Sequence, residues 1–331
     1  MEPVTALALV AIAAIAPVPI SMAMEALRKR PEAPASLPWA PDIAIQYVDV
    51  DGSRLRYIRA GDGPPLVLLH TLRTQLDIFH KVFPELAGRY TVYALDYPGH
   101  GWSEIPEADF APPLFTRAVS GFLDALDIDQ AVLAGISIGG TIPLLLAADE
   151  HPRIRGVVSI NPYDYARGRG LQRANLVARL VGSAALVPVL GETVMRMRLP
   201  IIEKAILSGG VASKDALTPM FLNAIWQSGC RPGHYQGFLN LLRHAAQWDE
   251  AHEVYGNIRV PVLLLYGIED WANDADRRRT AAGIPGATLE VVEGGGHFLT
   301  LDQPGEVIQH IDDFVAALTA ATVPPAVSAA S

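Results

Sequence analysis

Between residues 43 and 318 the chain alternates short apolar runs with stretches whose apolar positions recur every three or four residues. Leu66–His70 (LVLLH), Thr91–Asp96 (TVYALD), Ala131–Gly135 (AVLAG), Gly156–Ile160 (GVVSI) and Val260–Tyr266 (VPVLLLY) are largely apolar at consecutive positions. In runs this short, continuous apolarity marks strands buried on both faces, as in the middle of a parallel sheet. Thr288–Val292 completes that set. Ile43–Val50 and Arg54–Arg59 flank Asp51-Gly52-Ser53, a hairpin turn signal. Helical periodicity covers Gln75–Ala87, Leu114–Leu126, Ile138–Asp149, Asp274–Ala282 and Gly305–Leu318. The alternation predicts an α/β fold: a mostly parallel central sheet with helices on both faces, opening with an antiparallel hairpin.

One stretch breaks the rhythm. Tyr163 to Glu250 is helical and strand-poor, yet lies between two sheet strands. It is expected to be an insertion, a cap (163–250) over the C-terminal edge of the sheet, where such sheets bind ligands. The core then comprises 42–162 and 251–319, preceded by a hydrophobic N-terminal segment (1–27) and a Pro/Ala-rich linker (28–41), and followed by a flexible tail (320–331). Val4 to Met24 carries no charge, and at about 1.5 Å per residue it would span a bilayer core. Pro17 and Pro19 interrupt it, so a spanning helix would kink or end early. No Lys or Arg precedes it and Glu2 is acidic, which argues against a secretory signal. Arg28, Lys29 and Arg30 follow, which would place the main body on the cytoplasmic side. The expectation is membrane association through residues 4–24 with a cytoplasmic catalytic domain. If the segment instead docks on the body, the whole protein would be cytoplasmic.

Composition narrows the function. Of 331 residues half are hydrophobic and 18% charged, which excludes a disordered chain. There are 26 basic and 35 acidic residues, a net charge of −9, and no basic stripe, so nucleic acid is not an expected partner. The single cysteine, Cys230, permits neither an intramolecular disulfide nor a thiolate zinc cluster, and is expected to be a small, partly buried residue. No dinucleotide or phosphate-loop motif and no H-E-x-x-H spacing occurs. The expected mechanism uses no cofactor and no metal.

The chemistry gathers at strand ends. Gly135-Ile136-Ser137-Ile138-Gly139 is G-x-S-x-G, directly after one strand and before one helix. A sharp strand–turn–helix elbow would strain Ser137 and expose its hydroxyl at the sheet edge beside a helix N-terminus. A serine needs a base to take its proton, and the base needs an orienting partner. Asp270, in YGIEDW after the strand ending at Tyr266, and His297, in GGGHF after the last strand, supply these in the order Ser, Asp, His. Glu269, Asp164 and a helix-capping role for Asp270 are the competing readings, with Asn273 and Asp274 the other candidates for the cap. Backbone N–H groups of Ile138 and Leu72 are the expected oxyanion donors. Arg73, next in that loop, is a candidate contact for a substrate carboxylate, or a structurally paired arginine.

His70 at a strand end, Asp96-Tyr97-Pro98-Gly99-His100-Gly101-Trp102-Ser103, the Ser137 elbow, Asp270 and His297 together resemble the α/β-hydrolase superfamily, in its capped, esterase- and epoxide-hydrolase-like branch. The resemblance covers about residues 43 to 318. Relatives commonly end the first of these strands in His-Gly, where this chain has His70-Thr71, a β-branched residue in a loop where glycine is permissive. Dehalogenases and epoxide hydrolases carry a carboxylate at the elbow, so Ser137 counts against both and is compatible with esterases, lipases, C–C bond hydrolases, acyltransferases and cofactor-free perhydrolases. The expected reaction is hydrolysis of a carboxylic ester, a small and lipophilic molecule, through an acyl-enzyme. C–C bond hydrolysis of a ring-cleavage-type keto acid and ligand binding with little turnover remain the alternatives. Apolar helical faces at Leu171–Val189, Ile201–Leu207 and Phe238–Leu242 would line an acyl pocket or simply pack on one another.

Overall fold

The computed structural model describes residues 16–322. In chain order the elements are α1 (Pro17–Ala26), β1 (Ile45–Val50), β2 (Ser53–Ala60), β3 (Pro65–Leu69), α2 (Phe83–Leu86), β4 (Thr91–Leu95), α3 (Pro112–Ala125), β5 (Ala131–Ile136), α4 (Ile138–Ala148) and β6 (Ile154–Ile160). Then come α5 (Leu176–Ala185), α6 (Leu190–Arg196), α7 (Pro200–Leu207), α8 (Pro219–Gly229) and α9 (His234–His244), followed by β7 (Val262–Gly267), α10 (Asp274–Gly283), β8 (Thr288–Val292), α11 (Leu299–Asp302) and α12 (Pro304–Thr322). The eight strands form one sheet in the order β1-β2-β4-β3-β5-β6-β7-β8. β1 and β2 pair antiparallel, as do β2 and β4, and every other pairing is parallel.

Burial explains the continuous apolar runs. Val67, Leu69, Leu133 and Leu264 belong to one core cluster, with Phe115, Val119 and Phe122 of α3. Their sequence neighbours Leu66, Leu68, Val132 and Leu263 belong to a second, with Phe83 of α2 and Val307 and Ile311 of α12. Because successive side chains of a strand point to opposite faces, a sheet covered on both sides requires apolar residues at every position. From β3 the chain passes to β4 on one side and then crosses to β5 on the other. The crevice at the carboxyl ends of β3 and β5 is thus the topological switch point, where sheets of this type bind ligands.

Three expectations change. Gln75–Ala87 is not one helix but a 3-10 turn (Leu76–Phe79) followed by the short α2. Polar anchors break it: the Leu76 N–H donates to Asp96 Oδ1 at 2.9 Å, and the Asp77 carboxylate takes hydrogen bonds from Trp39 Nε1 at 2.9 Å and Gln75 Nε2 at 2.6 Å. The end of the 28–41 stretch is docked, with Leu37 and Ala40 buried and Trp39 edge-on to Phe83, while 29–36 are largely exposed. At the other end, α12 runs on to Thr322. Residues 323–331 lie outside the described residues, as do 4–15 of the expected membrane segment. The remainder of that segment starts a helix on Pro17, and this helix, α1, packs against α6. Its Glu25 pairs with Arg198 at 2.8 Å and with Arg28 at 3.0 Å. Among the described residues no helix is long and apolar enough to cross a membrane.

Beneath the loop that follows β3 lies a buried polar network. Arg56 on β2 donates from Nε to Asp96 at 2.6 Å and approaches Asp77 at 3.4 Å. Trp102 N–H adds a bond to the Asp96 carboxylate at 2.8 Å, and the Ser103 hydroxyl bonds the Asp96 carbonyl at 2.6 Å. The segment Asp96–Ser103 is therefore a structural brace. Burial raises the Asp96 carboxyl, but the Arg56 guanidinium and the backbone donors outweigh it and hold the group below its ordinary value. His70 bonds Thr71 O through Nδ1 at 2.8 Å and accepts the Tyr97 N–H at Nε2 at 3.1 Å, an arrangement that requires the neutral ring. Burial pushes its pKa down to about 4, with Asp96 opposing.

A histidine whose folded pKa lies below its unfolded one contributes stability that is complete above the unfolded value and is lost as pH falls through the folded one. We expect the Tm to fall as pH drops from about 6.5 towards 4. His70→Asn, with no ionisable ring, should lose less over that interval in pH-dependent thermal unfolding. An unchanged slope would remove His70 from the acid response.

Candidate active site

The site is built on strand ends. β5 runs into α4 with a single residue, Ser137, between them, at φ 61° and ψ −122°. Left-handed backbone is costly for serine, and close packing holds it there. A Cβ on Gly139 would lie 2.2 Å from Leu69 O, and one on Gly135 would lie 2.0 Å from Gly139 O. Only glycine allows strand and helix to approach this closely. Ser137 N–H donates to Ile160 O at 2.9 Å, which ties the elbow to β6.

Asp270 follows β7 and His297 follows β8. His297 Nδ1 and Asp270 Oδ1 are 2.5 Å apart, and both side chains are fully buried. The second Asp270 oxygen accepts the Ala272 N–H at 3.0 Å. Asn273, not Asp270, caps α10, in a reciprocal capping box with Asp276, so Asp270 is left to the histidine. Glu269 is exposed. Asp164 belongs elsewhere: its carboxylate is held by Tyr255 at 2.8 Å and Thr280 at 3.1 Å, and burial raises its pKa to about 7.

Tyr163 links the elbow to the histidine. Its N–H donates to Ser137 O at 3.3 Å and to Thr141 Oγ1 at 2.9 Å, and its ring centroid lies 6.4 Å from that of His297. Ser137 Oγ and His297 Nε2 are both buried and, among the described residues, without a hydrogen-bond partner. Expected to be exposed at the sheet edge, Ser137 is instead fully enclosed. The helices between β6 and β7 cover that edge; a cap was expected there, but not that it would close over the serine completely.

Ile138 opens α4, and its N–H has no acceptor among the described residues; the same holds for Leu72. The threonine standing where relatives have glycine is accommodated because the left-handed residue of this loop is Arg73 (φ 62°). Thr71 O accepts bonds from the N–H and hydroxyl of Thr74 at 3.3 and 2.9 Å, closing the turn. The Arg73 guanidinium pairs with Glu203 of α7 at 2.8 Å. Of the two roles open to Arg73 in the sequence, structural pairing is the one this geometry displays, because Glu203 already neutralises the cation.

Four residues that sequence reasoning missed organise the site, and Glu203 is one. Asn161, just past β6, donates from Nδ2 to Gly296 O and His297 O, each at 3.0 Å, and accepts the Gly267 N–H at 2.9 Å. It thereby bolts the ends of β6, β7 and the histidine loop together. Asp302 accepts N–H bonds from Gly296 (3.0 Å), Ala212 (2.9 Å) and Ser213 (3.1 Å). Trp271 stacks on the His297 ring at 3.6 Å between centroids and 12° between planes, while its Nε1 donates to Gly209 O at 2.7 Å. Position after a strand was a usable signal for Asn161, and adjacency to Asp270 for Trp271. Nothing local marked Asp302 or Glu203.

An apolar cavity adjoins this constellation, about 850 Å³ with its solvent-facing mouth included. Its walls include Leu72 of the β3 loop, Trp271 and Phe298 beside the acid and the histidine, and Val181, Ile206 and Phe238 of the covering helices. Arg73, Glu203 and Arg198 form one polar corner. Cys230 is buried. Among the described residues no group of three or more His, Cys, Asp or Glu is placed to hold a metal ion.

A mostly parallel sheet with serine at its elbow, an acid and a histidine on the following loops and a cavity at the switch point is the architecture of an α/β hydrolase. The sequence profile of the α/β hydrolase fold matches residues 64–304, and the chain belongs to that family. It is similar to an uncharacterised protein of Mycobacterium tuberculosis, 27% identical over 285 residues, 82% of this chain and 81% of the relative. It also matches haloalkane dehalogenase 2 of the same organism, 29% identical over 283 residues, 82% of this chain and 96% of the relative. The crystal structure of the enol-lactonase from Burkholderia xenovorans is similar in fold, with TM-score 0.65 and 22% identity, covering 82% of this chain and 100% of the lactonase.

Replacing Asn161 with alanine would strand the Gly267 N–H and the carbonyls of Gly296 and His297 in a buried setting. We expect Asn161→Ala to lower the unfolding free energy by about 2–4 kcal/mol, from unsatisfied buried groups. Chemical denaturation measures this, and a loss below about 0.5 kcal/mol, within the range of ordinary surface substitutions, would show that Asn161 bolts nothing.

Proposed function

We propose that this α/β hydrolase cleaves a carboxylic ester with an apolar acyl group through an acyl-enzyme on Ser137. The observation that carries the reading is the His297–Asp270 hydrogen bond, which fixes the imidazole through Nδ1 and leaves Nε2 buried and unpartnered, as is the Oγ of the elbow serine. Ser137 Oγ attacks the ester carbonyl while His297 Nε2 takes its proton. The same nitrogen returns a proton to the leaving alcohol, and then activates the water that releases the acid. Asp270 stabilises the imidazolium, and the π face of Trp271 adds to that stabilisation. Ile138 and Leu72 N–H groups receive the oxyanion, each such donor being worth about 2.7–4 kcal/mol in enzymes of this kind.

No hydrogen bond joins Ser137 to His297 here, and such bonds commonly tighten only around bound substrate. Substrate entry also requires the covering side chains to move, because Ser137 and His297 are enclosed. An enol-lactonase acts on a cyclic ester, and that likeness agrees with ester chemistry. Hydrolysis of a C–C bond in a keto acid would need Arg73 for the substrate carboxylate, and hence rupture of its pair with Glu203, so the ester reading is favoured. The near-uniform apolarity of the cavity supports a lipophilic acyl chain.

A fluorophosphonate probe should label Ser137, as read by peptide mass spectrometry, and the label should vanish in Ser137→Ala and His297→Ala. Folded wild-type protein that resists the probe yet binds esters tightly would establish ligand binding without turnover. With aryl esters of rising acyl length, kcat/KM should climb from acetyl to medium chains. A monotonic fall from acetyl would refute the acyl-pocket assignment.

A further inference from the structure

Large apolar side chains exposed to solvent are not scattered over this protein. Of the fourteen among the described residues, twelve lie on α1, at its C-cap Leu27 or from Leu176 to Ile202, including Ile20, Leu180, Val189, Leu199 and Ile201. Leu27 is 86% and Ile201 72% exposed. These elements adjoin one another: α1 packs on α6, and α5 packs on α6 and α7. The turn between α5 and α6 offers Val187, Pro188, Val189 and Leu190 to solvent, with the β-branched Val189 held at φ 68°. A concentration of exposed apolar residues this large marks an interaction surface.

Charge indicates the partner. In a protein of net charge −9, residues 16–30 and 163–210 together contain ten basic and four acidic residues. The acids are consumed internally: Glu25 by Arg28 and Arg198, Glu192 by Arg243, Glu203 by Arg73, and Asp164 by burial with Tyr255 and Thr280. Lys29, Arg30, Arg167, Arg169, Arg179 and Lys204 are exposed. The uncharged sequence Val4–Ala16 leads directly into α1. An apolar face bordered by basic residues matches a bilayer interface carrying anionic headgroups.

We propose that the outer face of α1 and α5–α7 docks in the plane of an anionic membrane surface, with the chain lying on the bilayer. Val181 of α5 and Ile202 and Ile206 of α7 line the apolar cavity, so the docked face is the outside of the cavity wall. If the ester reading holds, a lipophilic substrate would pass between these helices from the lipid. The docking itself does not depend on that reading.

The test is flotation of the full chain with phosphatidylcholine vesicles, with and without phosphatidylglycerol. Binding should require the anionic lipid and weaken at least about tenfold at high salt, through screening. Leu180→Glu/Ile201→Glu, which alters no cavity residue, should reduce binding about tenfold or more, as expected for charges placed on an apolar docking face, and leave hydrolysis of a water-soluble ester unchanged. Arg179→Glu/Lys204→Glu gives an independent charge-only variant that should weaken binding in the same direction. No flotation of the wild type, or flotation indifferent to both variants, would overturn the proposal. So would a wild-type dimer in light scattering that becomes monomeric in Leu180→Glu/Ile201→Glu without any vesicle binding, which would assign the face to a second copy. Flotation reads no catalysis, so loss of the ester reading would leave this outcome intact.

Discussion

The contact between β5 and α4 is the constraint on which the rest of the site depends. With no side chain at Gly135 or Gly139, the strand and the helix meet backbone to backbone, and β3 presses against the same point through Leu69 O. The intervening residue is left with a left-handed conformation. That brings the N-terminus of α4, with the Ile138 N–H, beside the loop that carries Leu72. The elbow serine and the proposed oxyanion donors are therefore placed by one packing event, and only glycine at both ends permits it.

Around this point the loops are held by polar groups that water cannot compete for. Arg56, Asp96 and Asp77 hold the β3 loop from below, and Asn161 and Asp302 hold the histidine loop from two sides. Buried networks of this kind are costly when incomplete and rigid when complete. Rigidity is what an imidazole needs if it is to serve one serine, and the 2.5 Å bond to Asp270 together with the Trp271 stack leaves it little freedom. Trp271 and Phe298 also reach the segment at Gly209–Gly210, so the covering helices and the histidine cannot move independently.

Much of this was legible in the chain. Strand β8 matches its expected limits, and most other strands and long helices agree to within about two residues, because a doubly covered sheet imposes apolar side chains at consecutive positions. The elbow was legible because glycine spacing, strand and helix coincide in five residues. The pairing of Asp270 with His297 was legible because another cap candidate, Asn273, stood three residues on. The stretch after Gln75 was misread because its apolar period is helical, while the Asp77 and Leu76 backbone contacts that break the helix come from Trp39 and Asp96, far away in sequence.

What the sequence by itself determined is the order of elements and the identity of the candidate reactive side chains, since periodicity and turn chemistry act over a few neighbouring residues. Long-range contacts decided the rest. Glu203 neutralises Arg73 from more than a hundred residues away, Asn161 reaches a loop still more distant, and α1 packs on the covering helices. Enclosure of Ser137 and segregation of the exposed apolar and basic residues onto one face arise in the same way. Each depends on which surfaces meet once the sheet has closed, and one-dimensional pattern does not carry that information.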